Sequence, residues 1–327
     1  MIEKYTNKKT RAVIVIFIIA IMFVILSSIQ PTKAFEKKKA PSLSELNSSI
    51  SKAQVYYEGL YRPMGNKGAV VAEYYSGNKS IYTVRHGVIG GIFYYTYTKN
   101  ISRASELKKF AKSYGFNPYY DDHSFIWTNK NNAPEGIVYS LKEYRDCTTS
   151  LPTVGNVSAY HSKVCKAGVI GENMYLLLSQ FDPLLPIEDS LQQVESGKKV
   201  STVSFEKLYN ALGFGIPICT PLGCSLNAST IRTAQFGELE LKTKHTQYAD
   251  AVASDLIHSE NKDGAIYISY DKKGKLDSSR SFIYTLLDKF LNDKPIFKGV
   301  IPTNAESMND ALAFLMQYRC DRYGVCN

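Results

Sequence analysis

The sequence predicts a mainly α fold: antiparallel helical hairpins, minor β-hairpins, and a single N-terminal transmembrane helix. Three observations carry this. Segments with apolar residues at i, i+3 and i+4 recur along the chain, densest in its last third. Gly-broken stretches rich in Tyr, Val and Phe lie between some of them. One long apolar run stands near the first residue, behind a basic tail.

That run comes first. Residues 1–11 form a basic tail, and Ala12 to Leu26 carry no polar side chain. Extended to Ile29 the run reaches about 27 Å as a helix, close to the thickness of a hydrocarbon core. Residues 12–29 therefore read as a membrane anchor, and 30–41 as a Lys- and Pro-bearing tether. The competing reading is a signal peptide cleaved after Thr32-Lys33-Ala34. Lys and Arg flank the run equally, so charge does not orient it.

Cysteines orient it instead. All six follow the apolar run: Cys147, Cys165, Cys219, Cys224, Cys320 and Cys326. Their even number and local pairing suit disulfides in an oxidising exterior. The expected bridges are 147–165, 219–224 and 320–326. The Thr220–Gly223 stretch, with Pro second and Gly fourth, has the signature of a type I turn that closes Cys219 on Cys224. Residues 42–327 are thus expected as one extracytoplasmic domain of a single-pass membrane protein.

Within that domain Ser42 and Glu45 have capping-box spacing before Ile50, Ala53, Tyr57, Leu60 and Tyr61. A second, shorter helix is expected over 67–75. Residues 81–98, broken by three glycines, read as a β-hairpin or extended segment. Residues 102–114 read as a helix facing inward with Leu107, Phe110 and Ala111. Residues 116–132 read as an aromatic loop, and 136–145, 167–181 and 205–212 as helices. The stretch 188–204 is the one candidate seam.

Helices are then expected over 230–242, 246–259 and 281–291, with a short strand over 265–270 after the Asp263-Gly264 turn. Thr303 and Glu306 signal the start of a last helix, running to Arg319. Each has one broad apolar face and must pack on its neighbours. The stretch from Tyr248 to His258, followed by Asp263-Gly264, resembles one hairpin turn of an α/α toroid. The resemblance covers about residues 229–319 and has no family-specific catalytic motif. It implies helical hairpins ringing a central cleft. Many proteins of that superfold act on polysaccharides, and others are non-catalytic.

Function is less legible. The net charge of +9 comes mostly from residues 1–40, which hold eight of the 39 Lys/Arg and two of the 30 acids. The remaining residues hold 31 basic and 28 acidic side chains, too balanced for a phosphate-binding stripe, so no nucleic-acid partner is expected. No Gly-rich phosphate loop, GxSxG elbow or HExxH occurs, and no cofactor is expected. The cysteines lack CxxC spacing, so no metal centre is expected. Asp121 and Asp122, in the cluster Tyr119 to His123, and Glu172, in an apolar stretch, are the candidate acid/base carboxylates. Arg85, His86, His123 and Arg232 are the candidate binding residues. Glu238 and Lys242 read as a surface pair, and His245 as isolated. The reading is a membrane-anchored helical protein that acts on or binds carbohydrate, or, alternatively, a non-catalytic surface protein. Its partners would be the membrane, through residues 12–29, and a polysaccharide or another surface protein.

Overall fold

The computed structural model describes residues 35, 38–72, 74–76, 79–83, 87–88, 90–113, 125–128, 134–138, 182–220, 223–276, 303 and 305–326. Residues 12–29, 167–181 and 281–291 lie outside these, so the anchor and two expected helices are not among the elements below. Among the described residues no helix is long and apolar enough to cross a membrane.

Helix α1 (Leu43–Glu58) starts as its sequence dictates. The Glu45 amide donates to Ser42 Oγ, and the Ser42 amide donates to Glu45 at 2.7 Å. This reciprocal cap satisfies two amides that the first turn leaves orphaned. Leu46, Ile50, Ala53 and Tyr57 then fall on one buried face. The chain turns at Gly59 into an antiparallel pair, β1 (Tyr61–Pro63) and β2 (Ala69–Val71). Residues 67–75 are therefore not a helix. Val70 and Val71 are β-branched and wholly buried, and ladder pairing satisfies their backbone where a helix would crowd them.

An antiparallel meander follows: β3 (Tyr74–Ser76), β4 (Lys79–Thr83), β5 (Phe125–Thr128) and β6 (Pro134–Val138), in that order. It corrects two expectations. Residues 125–128 are strand, not loop, and residues 136–138 are strand, not helix. Inserted between β4 and β5 are helices α2 (Gly91–Tyr97) and α3 (Ile101–Ser113). Of the expected extended segment 81–98, only the first three of the described residues are strand. The Tyr-rich part is helical because Tyr94 and Tyr95 stack on Tyr57, with centroids at 4.4 and 6.3 Å. This is tertiary packing overriding a local preference. Helix α3 faces inward with Ala104, Leu107, Phe110 and Ala111.

Helices α4 (Leu184–Glu195) and α5 (Val203–Leu212) cover much of the expected seam 188–204. Gly213 closes α5 at φ +85°, a conformation other residues adopt only with strain. Next come the hairpin β7 (Pro217–Thr220) and β8 (Gly223–Ser229), α6 (Thr230–Lys242), α7 (Thr246–His258), the short strand β9 (Ser269–Tyr270) beside β8, and α8 (Ala305–Tyr323). Of the expected strand 265–270 only the last two residues join the sheet. The first-mentioned hairpin places Cys219 directly opposite Cys224, with Cα atoms 3.9 Å apart, and a disulfide joins them. A second disulfide joins Cys320 to Cys326 beyond α8. The pair 147–165 lies outside the described residues.

Helix α6 is the hub. It packs on α8, α7 and α4, and α8 packs on α1. Where α6 meets α7 and α8 the residue is Gly237. A Cβ there would stand 2.6 Å from both Phe314 and Val252, so only glycine lets the three helices approach this closely. Phe236, Leu239, Val252, Leu256, Phe314 and Leu315 fill the crossing and are buried.

Candidate functional site

Few of the candidate side chains can be placed. Arg85, His86, Asp121, Asp122, His123 and Glu172 lie outside the described residues. Arg232 is described. Its Nε and Nη2 each donate to Asp182 at 2.6 Å, a bidentate pair, and its Nη1 donates to Ser229 Oγ. Asp182 also accepts the Leu184 amide. Both partners are largely buried, so the pair fastens the start of α6 to the start of α4. Glu238 does pair with Lys242, at 3.5 Å.

The polar groups that the fold does bring together lie elsewhere, at the far end of α6. Helix α6 ends at Lys242 and α7 begins at Thr246, so the connection is three residues long. Lys244 adopts φ +66°, the left-handed conformation that favours glycine. The strained turn brings the His245 amide onto the Glu240 carbonyl at 2.8 Å. It also swings the imidazole back over α6, with Nδ1 3.0 Å from Glu240 Oε2. From the opposite side, the first turn of α5 supplies Glu206, whose Oε1 lies 3.5 Å from the same Nδ1. Thr202 donates its hydroxyl to Glu206 at 2.6 Å and stands 3.2 Å from His245 Nδ1. Ligand atoms of Glu206, Glu240 and His245 all lie within 4.8 Å of one another.

Their exposure differs sharply. The Glu240 side chain has no solvent exposure, while that of His245 is 48% exposed. Burial, and then the neighbouring Glu206 carboxylate, push the Glu240 carboxyl up to about 8. Its second oxygen, Oε1, has no hydrogen-bond partner. A buried acceptor in that state costs about 1–3 kcal/mol. An arrangement of this kind can hold a small cation or share a proton.

Tyr248, one turn into α7, links this cluster to a second. Its hydroxyl accepts from Asn210 at 3.0 Å. Its ring packs on Phe35 at 4.3 Å and edge-on to Tyr209 at 5.8 Å. The Tyr209 hydroxyl donates to Asp255 at 2.5 Å, and Lys38 forms an ion pair with the same carboxylate. Burial holds Asp255 above the ordinary carboxylate range, with Lys38 and Tyr209 working against that shift. Phe35 and Lys38 belong to the tether. Further along, the Tyr323 hydroxyl donates to the Pro41 carbonyl. The tether is thus fixed to the body at three places.

The sequence singles out neither Glu206 nor Glu240, and His245 reads as isolated. One signal was present. A three-residue connection between two helices forces the residue opening the second back onto the last turn of the first. Comparison with protein-family models, with curated proteins and with solved structures gives no match to the chain.

Proposed function

We propose that this chain is a membrane-tethered surface domain that binds its partner without transforming it. The docked tether carries the reading. Phe35 lies within an aromatic group, and Lys38 neutralises a buried carboxylate, immediately after the segment expected to span the membrane. Fixed in this way, the body sits close to the bilayer, with a defined face turned outward. Two disulfides suit the same exterior setting.

Binding is favoured over catalysis because the α6–α7–α8 crossing is filled with Phe236, Phe314 and Val252. The partner in this reading is a surface polysaccharide or another surface protein. Glu206 and Glu240 are close enough for a catalytic pair, but glycoside cleavage needs both carboxylates to reach the sugar, and Glu240 is sealed.

Two measurements on the host test this. Membranes washed in alkaline carbonate should retain the full chain, and protease added to intact cells should degrade the body. Recovery of a soluble protein beginning near Phe35 would replace the anchor with a cleaved leader. Against a polysaccharide panel, retention without new reducing ends is expected, and cleavage would overturn the non-catalytic reading.

A further inference from the structure

The structure assigns a divalent transition-metal site, zinc by preference, to Glu206, Glu240 and His245. The site does not depend on the membrane reading. Three observations carry it. The first is spacing. In a tetrahedral zinc site with bonds of about 2.0–2.1 Å, ligand atoms stand roughly 3.3 Å apart. The two edges meeting at His245 Nδ1 measure 3.0 and 3.5 Å.

The second is Glu240 itself. Its side chain is completely buried, and Oε1 has no partner. A buried acid in that position is either held neutral or joined by something positive, and an acceptor left open beside a histidine and a second acid suits the latter. Lys242, two residues on, is committed to Glu195 and Glu238. Lys38 is committed to Asp255. A cation between Glu206, Glu240 and His245 would neutralise both acids.

The third is delivery. The ligands come from α5, from the end of α6 and from the residue opening α7, so the metal would bind three helices together. Thr202, which donates to Glu206, orients that ligand as an outer partner. The half-exposed imidazole gives the ion its entry. Donor type selects the metal. One imidazole with two carboxylates suits zinc and its neighbours, whereas magnesium and calcium demand six or more oxygens. Three protein ligands leave a fourth position for water.

The test uses the full chain in detergent, stripped with chelator and titrated with zinc chloride. We expect one zinc per chain, a rise in Tm of a few degrees at a hundredfold excess over Kd, and no response to magnesium. Cobalt(II) in place of zinc should give the visible bands of a tetrahedral site. The His245→Ala variant should bind at least tenfold more weakly. Glu240→Gln keeps the shape of the side chain and removes its charge. It should melt like the stripped wild type and lose the zinc shift. No zinc uptake, or equal uptake by wild type and both variants, would overturn the assignment. If His245→Ala does not fold, Glu240→Gln and the cobalt spectrum decide.

Discussion

Helix α6 meets its neighbours in two different ways within one turn. At Gly237 every group is matched: the missing side chain is filled by Phe314 and Val252, and no polar atom is involved. At Glu240, one turn later, a carboxylate is equally buried and half unpaired. Burial alone therefore does not separate structural positions from functional ones. What differs between these two positions is whether the buried polar atoms are satisfied. Asp250 and Asp255 on α7 make the point again, since both are buried and each accepts from a tyrosine, Tyr318 and Tyr209, at 2.6 and 2.5 Å. They are matched and hold the fold together. Glu240 is not.

Substitutions can break this contrast. The largest effect should come from Gly237→Val. Its side chain would have to displace Phe314 or Val252, so urea denaturation should record a loss of about 3 kcal/mol. Lys38→Ala should cost about 2 kcal/mol, because it removes the charge partner of a buried carboxylate.

The same carboxylate sets a pH dependence. Burial raises Asp255, so the folded chain keeps its proton where the unfolded chain has already lost it. Stability contributed by this group is therefore full below about pH 4 and falls as pH rises through the raised value. Urea midpoints measured across that range should show this slope diminished in Asp255→Asn. A slope unchanged in the variant would mean that Asp255 is not held in this way.

Ser42→Ala removes one half of the α1 cap and should cost about 1 kcal/mol by the same assay. The smallest effect belongs to the unmatched end. In chelated protein near pH 7 Glu240→Gln should change stability little, since a carboxyl raised to about 8 is already largely neutral there. A loss as large as that of Lys38→Ala would mean that Glu240 is matched after all, and the contrast would collapse.

Much of this fold is legible in the sequence, for identifiable reasons. Helices α1, α3, α6 and α7 have local signals: the Ser42 and Glu45 pair, apolar residues at helical spacing, and a turn at Asp263-Gly264. The misread segments are those where long-range contacts decide. Val70 and Val71 pair with β1, which local periodicity does not reveal. Tyr94 and Tyr95 become helical by stacking on Tyr57, some 37 residues earlier. The candidate cluster is hidden in the same way. Glu206 is 34 residues from Glu240 in sequence, and nothing local to either announces the other. The docked tether could not be read at all, because Lys38 finds Asp255 across 217 residues.

The docked tether is also the central claim, and hydrogen exchange tests it most directly. In the full chain in detergent, the amides of residues 38–40 should exchange more slowly than in a free peptide of that sequence. The paired substitution Phe35→Ala with Lys38→Ala should accelerate them without altering α7. Exchange at the free-peptide rate in the wild type would mean that the segment is not docked, and the account of an N-terminal segment fixed to the body would fail.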